Sequence, residues 1–85
     1  MLSYTFHPTA EKELARLPLK EQGRILTELQ ALCQLSHPLQ HHKVIKLQGA
    51  ENEFRLRVGD YRVKFALRAK TILFVTHVQH RQVGY

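Results

Sequence analysis

The hydrophobic period of the chain changes near Val44, and this change limits the folds that the chain can adopt. Before it, apolar residues such as Ile25, Leu29 and Leu32 recur at the spacing of one helix face. After it, apolar and basic residues alternate one by one through the run FRLRVGDYRVKF (54–65), as in half-buried strands. A helical half followed by a β half predicts an α+β domain in which helices cover one face of a sheet.

Turn-forming residues divide the chain into elements. Residues 2–6 (LSYTF) have the composition of a first strand, which ends at His7 because Pro8 suits the first turn of a helix. Pro18 ends that helix, and a second helix runs from there to about Leu35. We therefore predict one domain over residues 1–85, with a two-helix hairpin packed on one face of a mainly antiparallel sheet in the order β-α-α-β-β-β.

The pair Gly59-Asp60 fits a two-residue hairpin turn, because both residues tolerate a positive φ. This turn fixes the pairing of the flanking strands. The predicted pairs are Val58 with Tyr61, Arg57 with Arg62, Leu56 with Val63, and Arg55 with Lys64. The apolar pairs then face the helices and the basic pairs face away. Like charges directly opposite each other on paired strands lower the stability of the sheet, by about 0.2–1 kcal/mol per pair at most. This favours a phosphate-binding surface over a merely solvated outer face.

A third strand is predicted for residues 71–78 (TILFVTHV), after a turn at Ala69-Lys70. A two-residue turn there places His77 beside Arg62 and directs the tail, residues 80–85 (HRQVGY), towards the same basic face. The residues expected in the core are Leu14, Ile25, Leu29, Leu56, Val63, Phe65 and Phe74.

The charge distribution favours a polyanionic partner. Residues 1–53 contain six Lys or Arg and six Glu, whereas residues 54–85 contain seven Lys or Arg against a single acid, Asp60. The surplus of +6 therefore belongs entirely to the β half. Such asymmetry is typical of a chain that binds nucleic acid or an acidic protein.

Other features exclude several classes of protein. The single cysteine, Cys33, forms no internal disulfide framework, and no run of about 20 apolar residues could span a membrane. With no signal-like N-terminus, the chain is predicted to be cytoplasmic, without a membrane partner. His77 and His80 lack the further ligands of a metal site, and no nucleotide-binding motif is present, so we expect no cofactor. The pair His41-His42 is interpreted as ordinary loop surface.

Three segments carry a resemblance to a known family. The run KLQGAENEFRLRVGDYRVKF (46–65), the ending HRQVGY (80–85) and the early PTAEKELARL (8–17) resemble the RelE/ParE superfamily of bacterial toxins. The resemblance implies a RelE-like microbial RNase fold and a cognate antitoxin that binds the toxin in a hetero-oligomer. It also implies metal-independent cleavage of messenger RNA in the ribosomal A site, by attack of the 2′-hydroxyl on the adjacent phosphate, which inhibits translation.

The resemblance implies roles for Arg55, Arg57, Arg62, Arg81 and Tyr85, and the predicted strand register and the charge pattern add the other candidates. The catalytic candidates are Arg57, Arg62, Arg81 and Tyr85. The RNA-binding candidates are Arg55, Lys64, Lys46, His77 and His80. Arginine stands at both strand positions where lysine can occur in the family, so the general base stays open between His80, His77 and Glu51.

Two alternatives to the nuclease remain open at this point. The ParE branch of the superfamily inhibits DNA gyrase without cutting RNA, and it shares the hairpin motif. The pair Arg81 and Tyr85 favours the nuclease, because gyrase inhibition needs no catalytic phenol. A catalytically inactive relative or a non-enzymatic nucleic-acid-binding module is the second alternative.

Overall fold

The computed structural model describes residues 1–49 and 51–82. Within these residues the chain forms two helices, a short 3-10 turn and five strands. The elements are β1 (Ser3–Phe6), α1 (Pro8–Ala15), α2 (Leu19–Cys33), the 3-10 turn (Pro38–Gln40), β2 (Val44–Lys46), β3 (Glu53–Val58), β4 (Tyr61–Arg68) and β5 (Ile72–His80). The predicted α+β architecture is confirmed, and the three-residue β2 adds an edge strand that the sequence pattern did not indicate.

The five strands of the described residues form one sheet in the order β1-β5-β4-β3-β2. Strands β2 to β5 pair antiparallel with their chain neighbours, whereas β1 pairs parallel with β5. The parallel pair is possible because the helical hairpin lies between β1 and the rest of the sheet in the chain, which gives the crossover enough length. The helices thereby cover one face of the sheet and leave the other uncovered.

Proline marks the start of both helices. Pro8 is the first residue of α1, and the Nδ1 of His7 accepts a hydrogen bond of 3.0 Å from the backbone N of Thr9. This bond pairs one of the amides that a helix N-terminus leaves without an intrahelical acceptor. Pro18 occupies the position before α2. No helix in the described part of the chain has the length and apolarity needed to cross a lipid bilayer.

The hydrophobic core lies between the helices and one face of the sheet. Its helical members include Leu14, Ile25 and Leu29, and they share one cluster with Leu56 and other strand residues. The remaining expected core residues Val63 and Phe65 are also buried. Six of the seven predicted core residues are thus confirmed. Burial in the same cluster also raises the pKa of the Cys33 thiol.

The hairpin of β3 and β4 has the predicted register. Val58 pairs with Tyr61 and Arg57 pairs with Arg62, and the pairing continues without interruption to Glu53 and Ala66. Gly59 closes the turn with a φ of +58°, which an L side chain adopts only under strain. The local turn chemistry was therefore sufficient to fix the pairing of these two strands.

The hairpin of β4 and β5 differs from the prediction by one residue in its turn. Ala69 and Lys70 both have positive φ, and the first Cα pair joins Arg68 to Ile72, so Thr71 is also part of the loop. A shift of one residue moves each side chain of β5 to the opposite face. Phe74 consequently lies on the uncovered face under the guanidinium of Arg68, 4.0 Å from the ring centroid, and its predicted place in the core was wrong.

A β-bulge restores the alternation further along β5. The register shifts between Lys64 and Phe65, so that Lys64 pairs with His77 and Phe65 pairs with Val75. The intervening Thr76 donates a hydrogen bond of 3.3 Å from its hydroxyl to the carbonyl of Lys64. The turn and the bulge together displace the register by two residues. His77 therefore stays on the uncovered face, but opposite Lys64 and not opposite Arg62 as predicted.

A carboxylate of α1 caps the edge of β5 beyond the end of β1. His7 N donates to the carbonyl of Val75, which is the last such contact from the β1 side. Further along β5, the backbone N of Val78 donates to Oε1 of Glu13 at 2.9 Å. Because an unpaired backbone amide in a partly buried position is costly, this bond stabilises the strand that carries His77.

We expect replacement of Glu13 by alanine to lower the free energy of unfolding by about 1 kcal/mol, because the amide of Val78 loses its acceptor. Glu13→Gln retains an acceptor oxygen, so its free energy of unfolding should fall markedly less. Urea denaturation of the two variants and the unmodified chain measures the difference. Equal stability of Glu13→Ala and Glu13→Gln would contradict the capping role.

Candidate nucleic-acid interface

Two cross-strand rows of polar side chains occupy the uncovered face of the sheet. One row consists of Arg57, Arg62 and Gln79, and the other of Arg55, Lys64 and His77. We call these six residues the basic face. They alternate along their strands with the core positions Leu56, Val63 and Val78, which are buried. The face arises because β3, β4 and the end of β5 present their apolar alternate residues to the helices.

Arg62 lies at the centre of the positive charge and is half-buried. Burial is the largest influence that lowers the pKa of Arg62, and neighbouring positive charges lower this pKa further. The neighbouring charges belong to Arg55, Arg57 and Arg81. Cations that disfavour one another in this way favour a bound anion, since an anion reduces their repulsion. Guanidinium groups are also suited to two-pronged contact with phosphate oxygens.

Arg81 is held beside the turn of the β3–β4 hairpin. Its backbone N donates to the carbonyl of Asp60 at 2.7 Å, and its Nε lies 3.7 Å from Asp60 Oδ1. Both side chains are more than half exposed, so the ion pair itself adds little stability. The predicted approach of Arg81 to the basic face agrees with its electrostatic influence on Arg62. Tyr85, the fourth catalytic candidate, lies outside the described residues.

His77 is anchored from behind by the same carboxylate that caps β5. Its Nδ1 is buried and lies 3.6 Å from Glu13 Oε1, a distance longer than a hydrogen bond but within the range of an ion pair. The side chain as a whole remains 43% exposed. With Nδ1 buried, the exposed part of the ring contains Nε2, the nitrogen available to a ligand on the basic face.

The structure separates three other candidates from the basic face. His80 pairs with Tyr61 and packs edge-on against its ring on the helix side, so the expected approach of His80 to the arginines was wrong. Lys46 pairs with the core residue Phe54 and is likewise on the helix side, at the sheet edge. It lines a separate hollow with Glu51. His80 lies three residues after His77 on the same strand, so simple alternation places it on the other face, whereas the placement of Lys46 follows from the pairing of β2 at the sheet edge.

His42 is a candidate that the sequence interpretation missed. With Lys43, Ile45, Arg55 and Arg57 it lines a concavity of about 320 Å³ beside β2 and β3. Ile45 pairs with Arg55, and the backbone N of Arg57 donates to the carbonyl of Lys43, so this concavity adjoins the basic face. Only the pairing of β2 with β3 brings a loop histidine to this place.

The position of His42 depends on its neighbour His41. The two imidazoles stack with centroids 5.1 Å apart and planes at 3°. His41 accepts a hydrogen bond from the backbone N of Lys43 on Nδ1, which leaves Nε2 as the donor to Glu28 Oε2 at 3.1 Å. His41 is thereby fixed to α2, and it supports the ring of His42.

The basic face can bind phosphate and stabilise additional negative charge on it. Among residues 1–49 and 51–82, no group of three or more His, Cys, Asp or Glu side chains is arranged to hold a metal ion. The cations present are guanidinium and ammonium groups, and the titratable group nearest to them on β5 is His77. This set suits transfer of a phosphoryl group without a bound metal.

Comparison with known proteins identifies similar chains. The family described as ParE toxin of type II toxin-antitoxin system, parDE, matches residues 4–85. Toxin RelE3 of Methanocaldococcus jannaschii is 34% identical over 82 residues, which cover 94% of this chain and 91% of that protein. These matches span both described parts of the chain.

Two solved structures have the same fold. The toxin–antitoxin complex RelBE2 from Mycobacterium tuberculosis contains a chain with a TM-score of 0.78 and 23% identity, covering 94% of this chain and 98% of that one. The archaeal RelE–RelB complex from Pyrococcus horikoshii OT3 contains a chain with a TM-score of 0.75 and 26% identity. The match covers 98% of this chain and 97% of that one. The arrangement of two helices on a mixed sheet is thus shared with RelE toxins.

The opposed pair Arg57 and Arg62 should reduce stability. We expect Arg57→Thr to raise the free energy of unfolding by about 0.2–1 kcal/mol, since it removes one like-charge pair and adds a β-branched residue. Arg57→Lys keeps the charge and should change stability less. Denaturant unfolding at low salt measures both, and the difference should shrink at high salt because exposed charges are screened. A loss of stability in Arg57→Thr would show that the arginine has a structural role.

Proposed function

This chain belongs to the RelE/ParE superfamily of toxins from type II toxin–antitoxin systems, and on this basis we propose that it is a metal-independent endoribonuclease that cleaves messenger RNA. The observation that carries the proposal is the pair Arg57 and Arg62 on an uncovered sheet face, with Arg55 and Arg81 close enough to influence Arg62. Stability alone does not favour such a concentration of like charge.

The proposed reaction is attack of the 2′-hydroxyl oxygen on the adjacent phosphorus. The bond from phosphorus to the 5′-oxygen breaks, a 2′,3′-cyclic phosphate forms, and the 5′-oxygen leaves with a proton. Negative charge grows on the phosphate oxygens in the transition state, and Arg57 and Arg62 stabilise it. Their fixed positions on paired strands mean that little reorganisation is needed when the charge develops.

Proton transfer requires a base for the 2′-hydroxyl and an acid for the 5′-oxygen. His77 is the best-placed base of the three candidates, because its exposed edge shares the basic face while His80 and Glu51 do not. Glu13 Oε1 lies 3.6 Å from Nδ1 of this ring. The resemblance to RelE assigns the acid to Arg81 and RNA stacking to Tyr85, and Arg55 with Lys64 extends the contact along the RNA backbone.

The proposed partners follow from the family. The similar solved structures are complexes of a RelE toxin with a RelB antitoxin, and we propose a cognate antitoxin that binds this chain in a hetero-oligomer. The proposed substrate is messenger RNA in the ribosomal A site, and the proposed location is therefore the cytoplasm. Cleavage there inhibits translation, which accounts for toxicity.

Inhibition of DNA gyrase is the second candidate function. It is favoured by the family description, which names the ParE toxin. Brief expression of the chain separates the two functions. The nuclease predicts cleaved messenger RNA, whereas the gyrase inhibitor predicts DNA–gyrase complexes with intact messenger RNA.

We expect Arg57→Thr to slow cleavage of ribosome-bound messenger RNA by about 10²-fold or more, because one cation no longer meets the reacting phosphate. The variant should also fail to arrest growth on induction, although it is at least as stable as the unmodified chain. Arg16→Thr, a change of the same type on an exposed position beyond α1, is the matched control and should remain toxic. Full toxicity of Arg57→Thr would contradict the proposed chemistry.

We expect the antitoxin to cover the basic face with an acidic segment, so that its affinity falls as salt concentration rises. Titration calorimetry at several salt concentrations measures this dependence. Arg55→Ala should reduce the salt dependence, because one screened contact is lost, whereas Arg16→Ala should not change it. An affinity independent of salt would contradict an electrostatic contact at this face.

A further inference from the structure

The concavity lined by His42, Lys43, Ile45, Arg55 and Arg57 shares its two arginines with the basic face and adds an imidazole and an apolar side chain to them. The basic face offers cations. The concavity combines a flat imidazole, an apolar side chain that is 48% exposed, and a guanidinium plane. Exposed isoleucine beside an exposed aromatic ring is not explained by the core, which lies on the other face of the sheet.

We propose that this concavity is a nucleobase-binding subsite, in which one base of single-stranded RNA stacks on His42 and contacts Ile45 and Arg55. The inference rests on the proposed function, since it takes the occupant to be a nucleotide next to the phosphate that the arginines hold. Proteins bind the bases of single strands by stacking them on aromatic rings and on guanidinium planes, and apolar side chains complete such pockets.

The support of His42 from behind agrees with this role. One face of its ring is partly covered by His41, whose side chain is only 9% exposed and is hydrogen-bonded to Glu28. His42 itself is exposed, so its other ring face is accessible. A stacking surface whose ring is already held in place loses less entropy on binding than a mobile side chain does.

The position of the concavity also agrees with a bound RNA strand. Arg57 belongs to both the concavity and the row that contains Arg62. A nucleotide whose phosphate contacts Arg57 therefore has its base within reach of the ring of His42 on the β2 side. The base would stack on His42 and the phosphate would contact the arginines. An experiment can therefore measure the two contributions to binding separately.

The test measures binding of short oligomers that cannot be cleaved. Pentathymidylate, whose deoxyribose lacks the 2′-hydroxyl, is compared with an abasic deoxyribose-phosphate pentamer of equal charge. We expect His42→Ala to weaken binding of pentathymidylate about tenfold, the contribution of roughly one stacked base, and binding of the abasic pentamer by less than about twofold. His42→Phe retains a stacking ring and should bind pentathymidylate nearly as the unmodified chain does.

The control is Gln30→Ala, a change in an exposed side chain of α2 that should affect neither oligomer. If His42→Ala lost the same affinity for both oligomers, the proposal would be overturned, because His42 would then bind the sugar-phosphate backbone and not a base. Failure of His42→Phe to restore binding would overturn it too, as would absence of binding of pentathymidylate by the unmodified chain. Messenger RNA cleavage is assayed separately. A chain that binds the base but leaves RNA intact would refute the proposed nuclease and not the subsite.

Discussion

The alternation of side chains along β3 and β4 governs both the stability and the surface of this protein. Leu56 and Val63 enter the core because the helices cover one face of the sheet, and Arg57 and Arg62 are then forced onto the other face. In a domain of this size the core is thin. A shift of one residue would exchange the apolar set for the basic set, so the core and the basic face specify the same register.

The basic face is a compromise between folding and binding. The chain tolerates opposed arginines although Arg62 is half-buried, and burial, together with repulsion from the neighbouring cations, lowers the pKa of Arg62. A polyanion relieves this repulsion on binding, so part of the cost in the free protein becomes affinity. Residues maintained for binding or catalysis commonly reduce stability in this way.

The helices contribute to the basic face although they lie behind it. Glu13 of α1 reaches past the end of β1 to cap β5 and to contact His77, and Glu28 of α2 bonds His41, which supports His42. Each helix thus supplies one carboxylate that lies beside an imidazole at one flank of the sheet. The acids of the N-terminal half, which balance its charge, therefore also order the surroundings of the arginines.

The sequence by itself determined the α+β class and the β3–β4 register, because period and turn chemistry at Gly59 act between near neighbours. Only the tertiary structure decided which residues of β5 face the arginines. The loop after Arg68 takes in one more residue than its turn indicates, and the bulge at Thr76 compensates for it. The longer loop places Phe74 on the uncovered face and not in the core, and the bulge keeps His77 on the basic face. The parallel pairing with β1 and the cap from α1 join segments more than 60 residues apart in the chain, and no local pattern of residues records contacts of that range.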